Sequence, residues 1–99
     1  MITFRYGIGI EEQNSLVSRL TVYPNPTSGN FIVVFAAKAI EPVSVELLSF
    51  DGRVVWQSKV NTLTGLNSIR LENNRVPSGI YLVRLKTSHG DLGRKLIVK

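Results

Sequence analysis

The chain has 99 residues, of which 43% are hydrophobic and 19% charged, with no cysteine and one histidine. This composition fits one small folded domain and excludes disulfide scaffolds, thiolate metal sites and cysteine nucleophiles. The formal net charge of +5 permits an anionic partner but does not identify one. The N-terminal stretch lacks the basic and apolar regions of a signal peptide, and no apolar run approaches the ~20 residues of a membrane-spanning helix.

The first 19 residues show the least regular hydrophobic pattern in the chain. Residues 11–14 are polar, and Leu16, Val17 and Leu20 have the spacing of one helical turn. Because a single turn is too short to hold as an independent helix, we predict an irregular lead-in here.

Two stretches with strand periodicity follow. The first, Leu20–Tyr23, ends at Pro24 and Pro26, which fix φ, lack a backbone donor and cannot lie in a central strand. In residues 30–36 both alternating faces are apolar. This second pattern predicts either a strand covered on both sides or an exposed apolar strip that needs a partner.

The middle of the chain contains a predicted hairpin. Residues 43–47 alternate between apolar and polar positions, as in a half-buried strand. The dipeptide Asp51-Gly52 separates this strand from the apolar residues Val54–Trp56. Asp-Gly between two such runs predicts a type I′ turn, in which both central residues have positive φ. A further alternating strand follows over residues 69–72.

The last hairpin has the clearest alternation. Tyr81, Val83 and Leu85 share one face of a strand, which turns at Ser88–Asp91 and returns to the end of the sequence. In total we count about seven strands of roughly 4–8 residues and no helix of consequence. Two packed antiparallel sheets bury such strands most economically. We therefore predict an all-β fold, an immunoglobulin-like antiparallel β-sandwich, with a closed barrel as the alternative.

The sequence offers little for catalysis. Ser88, His89 and Asp91 are the residue types of a hydrolase triad, but near neighbours in one tight turn point away from each other. Without a second imidazole or a thiolate, His89 is also a poor metal ligand. We expect a surface histidine and no catalytic, cofactor or metal site.

Basic residues gather toward the end of the chain. Arg84 and Lys86 share one face of their strand, and Lys95 and Lys99 share one face of its hairpin partner. Cross-strand pairing can collect these charges into a patch for an anionic partner, although a solvated charged face is the simpler interpretation. Lysines on a terminal strand also hinder edge-to-edge aggregation. Nucleic acid is not expected as a partner, because no aromatic residues interleave with these charges to stack bases.

Four short motifs occur in order along the chain. Leu20–Gly29 is similar to V-Y-P-N-P-x-x-G, and Asp51–Val55 is similar to a shortened D-x-x-G-[RK]-x-V. Residues 77–85 are similar to L-x-x-G-x-Y-x-V-x-V, and Lys95–Lys99 to a final K-x-x-[VI]-x-K. Over about residues 8–99 the chain thereby resembles the C-terminal sorting domains of the type IX (Por) secretion system of Bacteroidetes. The residues assigned to the family's structural motifs are Tyr23, Pro24, Asn25, Pro26, Gly29, Asp51, Gly52 and Arg53.

The resemblance implies a secretion signal that directs a larger cargo protein across the outer membrane of a Gram-negative bacterium. The domain itself is then no enzyme, whereas the cargo can be one, such as a protease or glycoside hydrolase. The implied partners are the outer-membrane translocon and its shuttle protein. A sortase-like cysteine peptidase then removes the domain during surface attachment and joins the cargo to anionic lipopolysaccharide. The implied route runs through the periplasm to the outer-membrane surface or the extracellular space.

The resemblance also implies where the signal lies. We expect the sorting domain over residues 16–99, preceded in residues 1–15 by a linker and the end of a cargo region behind an added Met1. The expected cleavage region comprises Tyr6, Gly7, Ile8 and Gly9. The expected translocon-recognition residues are Gly79, Tyr81, Lys95, Leu96, Ile97, Val98 and Lys99.

A mechanism and its alternatives follow from these positions. We expect Gly79–Tyr81 and Lys95–Lys99 to offer unpaired backbone groups to which a receptor strand adds, with the lysines steering toward an acidic surface. Deletion of Arg94–Lys99 is then expected to block export. The alternative function is an extracellular adhesion or carbohydrate-binding module, for which Trp56 and Tyr23 are the candidate aromatics. A small nucleic-acid-binding barrel ranks below it, and self-association stays open.

Overall fold

The computed structural model describes residues 15–72 and 76–99 of the chain. These residues form seven β-strands and no helix, so none of them contributes a membrane-crossing helix. The strands are β1 (Val17–Tyr23), β2 (Asn30–Ala37), β3 (Pro42–Ser49), β4 (Val54–Asn61), β5 (Gly65–Glu72), β6 (Gly79–Thr87) and β7 (Gly90–Val98).

The strands form two antiparallel sheets. One has three strands in the order β1-β2-β5, and the other has four in the order β4-β3-β6-β7. The predicted all-β fold is confirmed, and the arrangement is consistent with an immunoglobulin-like sandwich rather than a closed barrel. Because β6 lies between β3 and β7, both its edges are paired.

The core lies between the sheets and follows the two-residue period of the strands. Alternate side chains of β2, β3, β6 and β7 point inward, and Phe35, Val45, Leu85 and Leu96 are fully buried. The outward-facing side chains of β2 are only half-buried. The strand over residues 30–36 is therefore fully covered on its inner face and partly covered on its outer face.

The first strand begins earlier than its pattern indicates. Val17 and Ser18, which were predicted to belong to an irregular lead-in, are part of β1 and pair with Ala37 and Ala36. The register shifts between Ser18 and Thr21, where Arg19 has a positive φ of 61°. The predicted irregular lead-in therefore ends earlier than residue 19, and the break in the two-residue alternation at Arg19 explains why the start of the strand was not recognised.

The hairpin between β3 and β4 also differs from expectation. The N–H of Gly52 bonds the carbonyl of Ser49 at 2.9 Å, and Gly52 has a φ of 89°. Among the described residues, Arg19 is the only non-glycine with positive φ, so Asp51 does not adopt the conformation that a type I′ turn requires. The loop is longer than two residues, because the ladder resumes only at the bond from Ser49 N–H to Arg53 O at 2.8 Å.

The two sides of the sandwich are unlike. On one side β1 contacts β7 across the gap between the sheets. On the other side β4 and β5 end their sheets without a further neighbour among the described residues. Trp56 of β4 and Ile69 of β5 face the core there but stay partly exposed.

Candidate functional site

The motif segments meet at one end of the four-stranded sheet. The start of β6 pairs with the end of β7, so that Gly79 lies opposite Val98 and Tyr81 opposite Leu96. On its other edge Tyr81 lies opposite Ser49, the residue that leads into the β3–β4 turn. Segments distant in the sequence therefore share one small region of the fold.

The opening loop, defined as residues Pro24–Gly29, lies along the outer edge of β7. The side chain of Asn25 donates to Lys95 O at 2.8 Å and accepts the N–H of Ile97 at 2.9 Å. The backbone of Thr27 donates to Ile97 O and accepts the N–H of Lys99, both at 2.8 Å. We call these four hydrogen bonds the clamp. It joins the first motif of the domain to the last.

The clamp depends on a rigid opening loop. Thr27 is 1% exposed, and its hydroxyl donates to Asn30 O at 2.6 Å while accepting the N–H of Gly29 at 3.1 Å. Gly29 has a φ of 129°, a backbone conformation that residues other than glycine rarely adopt. The loop residues Pro24, Asn25 and Pro26 remain exposed.

The clamp corrects one expectation about the terminal strand. The outward backbone groups of Lys95, Ile97 and Lys99 were expected to be unpaired, but they bond the opening loop. The backbone of Gly79–Tyr81 is likewise enclosed between β3 and β7. A receptor strand therefore cannot add to this edge without displacing the opening loop.

Tyr81 has a defined structural environment. Its side chain is 7% exposed, and its hydroxyl donates to Pro77 O at 2.6 Å. A tyrosine near the start of the sixth strand that bonds backbone a few residues upstream is the tyrosine corner of immunoglobulin-like sandwiches. It ties the β5–β6 connection to the sheet at the end where the motifs meet.

The Asp51 carboxylate organises the neighbouring β3–β4 turn. It accepts the hydroxyl of Ser49 and, at 3.4 Å, the N–H of Arg53. These hydrogen bonds, that from Ser49 first, lower the pKa of Asp51 below its ordinary value of 3.8. Asp51, Gly52 and Arg53 thus shape the turn that lies beside β6.

The outer surface at this end is apolar. Phe50 is 89% exposed, Ile80 56% and Leu82 39%. With Leu48 and Lys95 these residues line an open depression of about 330 Å³, here named the apolar depression. The sequence analysis did not identify Phe50, Ile80 and Leu82 as candidate contact residues. Phe50 could have been found because it directly precedes the Asp-Gly turn, and Ile80 and Leu82 because they alternate with the buried Tyr81 and Val83.

The basic residues share this outer face but do not form one patch. Arg84 is bound to Glu46 of β3, with Nη2 at 2.6 Å and Nε at 2.8 Å from the same carboxylate oxygen. Lys86 lies opposite Asp91 near the other end of the sheet. Within the described part of the chain, Lys95 and Lys99 form no ion pair. At the motif end, positive charge outside any ion pair of the described residues therefore includes Lys95 of β7 and Lys99 just after it.

The remaining chemical candidates lie elsewhere. His89 Nε2 is 3.2 Å from Glu41 Oε2, and its Nδ1 is 3.0 Å from Ser15 Oγ. In residues 15–72 and 76–99 no group of acidic or histidine side chains is arranged to hold a metal ion. Trp56 packs toward the core and Tyr23 lies on the other sheet, so they do not form an aromatic platform. The expected cleavage region, Tyr6–Gly9, lies outside the described residues.

Comparison with known proteins agrees with these motifs. The family model of secretion system C-terminal sorting domains matches residues 21–99, and the chain belongs to that family. An endo-acting ulvan lyase of Formosa agariphila is 29% identical over 94 residues, which cover 93% of this chain and 17% of the lyase. The chain thus spans about a sixth of the curated relative it matches.

Family membership defines the function. The domain is a C-terminal sorting signal of the type IX secretion system, which directs a larger cargo protein to the cell surface or the extracellular space. Its role is sorting, and it acts through the secretion machinery.

Proposed function

We propose that the outer-membrane translocon and its shuttle protein read a folded surface at the clamped end of β7. This signal surface comprises the exposed side chains of Lys95, Ile97 and Lys99 together with the exposed Pro24–Pro26 beside them. The observation that carries the proposal is the clamp, because it holds the first and last family motifs in one fixed arrangement. A preorganised surface binds without the entropic cost of ordering a loose tail.

The predicted recognition residues divide into two roles. Lys95, Ile97 and Lys99 are exposed, so their side chains are available to a receptor. Leu96 and Val98 are 0% and 4% exposed and anchor the strand in the core. With Tyr81 they position the signal surface rather than contact the receptor, and Gly79 opposite Val98 completes the strand pair.

The later steps follow from the same proposal. The cargo crosses the periplasm before the domain is read at the outer membrane. A sortase-like cysteine peptidase then cuts within Tyr6–Gly9 and joins the cargo to anionic lipopolysaccharide. We infer that the cargo is a secreted enzyme, for which the related ulvan lyase is the supporting example.

Charge substitutions on the signal surface test this function. Deleting Arg94–Lys99 is less informative, since it also removes the buried side chains of Leu96 and Val98. Losing core side chains lowers the free energy of unfolding, so the domain is expected to unfold and a loss of export could not be assigned to recognition. A better probe is Lys95→Gln with Lys99→Gln in a fluorescent reporter that carries the domain and enters the periplasm of a type IX-competent host. The matched control is Lys38→Gln with Lys59→Gln, which removes the same charge from exposed positions elsewhere.

We expect the Lys95/Lys99 variant to accumulate in the periplasm while the control reaches the surface at the wild-type level. Both variants should keep the melting temperature of the parent. Equal export of both would overturn the proposed signal surface. Surface delivery in a host without the translocon would overturn the proposed route.

A further inference from the structure

We propose that the apolar depression is the docking site for an extended protein segment that carries a large apolar side chain flanked by carboxylates. The inference rests on the proposed function, because the partner is taken to be a component of the type IX machinery. It extends the contact region from Lys95 and Ile97 of the signal surface across the outer face of the sheet, and it gives the chemistry of the segment that binds there.

The exposed apolar residues here are not needed by the core. The inward positions of β3 and β6, such as Val45, Leu47 and Val83, are at most 1% exposed and already fill the space between the sheets. Phe50, Ile80 and Leu82 lie on the opposite face and still line one continuous depression. Single exposed apolar residues are common on protein surfaces, whereas adjacent ones that form a concave patch are typical of binding sites.

The shape of the depression depends on a glycine in the neighbouring strand. A Cβ atom at Gly93 would lie 3.1 Å from Leu82 Cδ1, so the Leu82 side chain rests over Gly93. A side chain at position 93 would therefore press on Leu82, which lines the depression. Ile97, the partner of Ile80 across the β6–β7 pair, is 37% exposed and extends the apolar surface to the clamped edge.

The charges around the depression select for acidic partners. Lys95 lies opposite Leu82 in the strand pair and lines the depression, and within the described residues it forms no ion pair. Arg53 follows Gly52 of the lining, and Lys99 follows Val98, which pairs with Gly79 at the same end of the sheet. The carboxylate of Asp51, between Phe50 and Gly52 of the lining, already bonds Ser49 and Arg53. Carboxylates on the partner would complement this rim and speed association.

The mode of contact follows from the clamp. Because the outward backbone groups of Lys95, Ile97 and Lys99 bond the opening loop, a partner at this end binds through side chains rather than by adding a strand. A depression of about 330 Å³, open on its outer side, matches an anchoring side chain better than a small molecule, which needs most of its surface enclosed.

The test uses the reporter fusion with Phe50→Ser and Ile80→Ser, and Leu63→Ser with Leu66→Ser as the matched control. The control leucines are 65% and 72% exposed and lie outside the depression. We expect surface delivery of the Phe50/Ile80 variant to fall by about tenfold or more, as for loss of a binding hot spot, with little change in the control. Arg53→Glu, at an exposed position outside the signal surface, should also reduce delivery.

A domain-deletion reporter separates this inference from the proposed function. If deletion abolishes delivery but the Phe50/Ile80 variant is delivered like the control, the docking inference is wrong and the sorting function stands. If deletion has no effect, the proposed function fails first. Sedimentation of the 99-residue chain tests whether a second copy of the chain occupies the depression instead. A dimer that Phe50→Ser abolishes would assign the depression to self-association and overturn the proposal.

Discussion

The side-chain oxygen of Asn25 accepts the backbone N–H of Ile97 at 2.9 Å, although the two residues are 72 positions apart. The amide nitrogen of the same side chain donates to the carbonyl of Lys95 at 2.8 Å. One asparagine therefore pairs the edge of the terminal strand on both sides of Leu96. The edge of a sheet, normally open to further pairing, is closed here by a short loop.

Substitution of Asn25 should destabilise the clamp. Asn25→Asp removes the donor to Lys95 O and places a negative charge beside that carbonyl. We expect a loss of about 1–2 kcal/mol, seen as a fall in melting temperature of roughly 4–8 °C per kcal/mol in a domain of this size. Asn61→Asp is the matched control, because Asn61 is exposed and its side chain makes no hydrogen bond within the described residues. Equal destabilisation of both variants would contradict the clamp.

Tyr81→Phe should reduce stability without abolishing export. It removes only the hydroxyl that bonds Pro77 O at 2.6 Å, and such a bond contributes about 0.5–1.5 kcal/mol. Tyr23→Phe serves as the control, since Tyr23 is 48% exposed and has no side-chain hydrogen bond among the described residues. Denaturant unfolding and reporter export measure the two effects. Loss of export with unchanged stability would instead mean that the machinery reads the hydroxyl directly.

Replacing only one partner of the Glu46–Arg84 pair should lower the stability of the fold strongly. Glu46 has a side chain that is 9% exposed and bonds Arg84 Nη2 at 2.6 Å. Arg84→Met leaves that carboxylate buried and unpaired, which costs about 3 kcal/mol, whereas replacing both residues by Met is expected to cost much less. The exposed Arg70–Glu72 pair at 4.0 Å is the control, and Arg70→Met should change stability by less than about 1 kcal/mol. Additive effects in the Glu46/Arg84 cycle would contradict the pairing.

The pKa of Asp51 should depend on Ser49. The Ser49 hydroxyl and the Arg53 backbone lower the pKa of Asp51 below 3.8, so Ser49→Ala should raise it toward that value. A carboxylate with a lowered pKa stabilises the fold above its unfolded pKa, and the effect disappears as pH falls through the folded pKa. Carbon-detected NMR titration measures the shift, with Ser68→Ala as a control far from the turn. An unchanged Asp51 pKa in Ser49→Ala would remove Ser49 as its cause.

Much of the fold follows from strand periodicity. The alternation in residues 43–47 and 81–85 placed β3 and β6 correctly, because one face of each strand is buried. Periodicity failed at Arg19, where a positive φ shifts the register and gives Leu16, Val17 and Leu20 a helical spacing. It also failed at Asp51-Gly52, since the turn type depends on the ladder beyond the dipeptide.

The candidate site was less accessible from the sequence. The motifs at Pro24–Gly29 and Lys95–Lys99 stood out as separate patterns, but their contact depends on the order of strands in both sheets. The role of Asn25 likewise needs the positions of Lys95 and Ile97 beside it. The sequence alone did not show that Arg84 is paired, because its partner Glu46 lies opposite it only in the register of β3 and β6.

Amide hydrogen exchange of the 99-residue chain tests most directly whether the terminal strand is presented as a closed edge. The clamp occupies the N–H groups of Ile97 and Lys99. We predict that these amides exchange slowly, like those inside the β6–β7 pair, and that Asn25→Ala, which removes the acceptor of the Ile97 N–H, accelerates the exchange of Ile97. Exchange of Ile97 and Lys99 as fast as that of the outward amides of β4 and β5 would show an open edge and contradict the account.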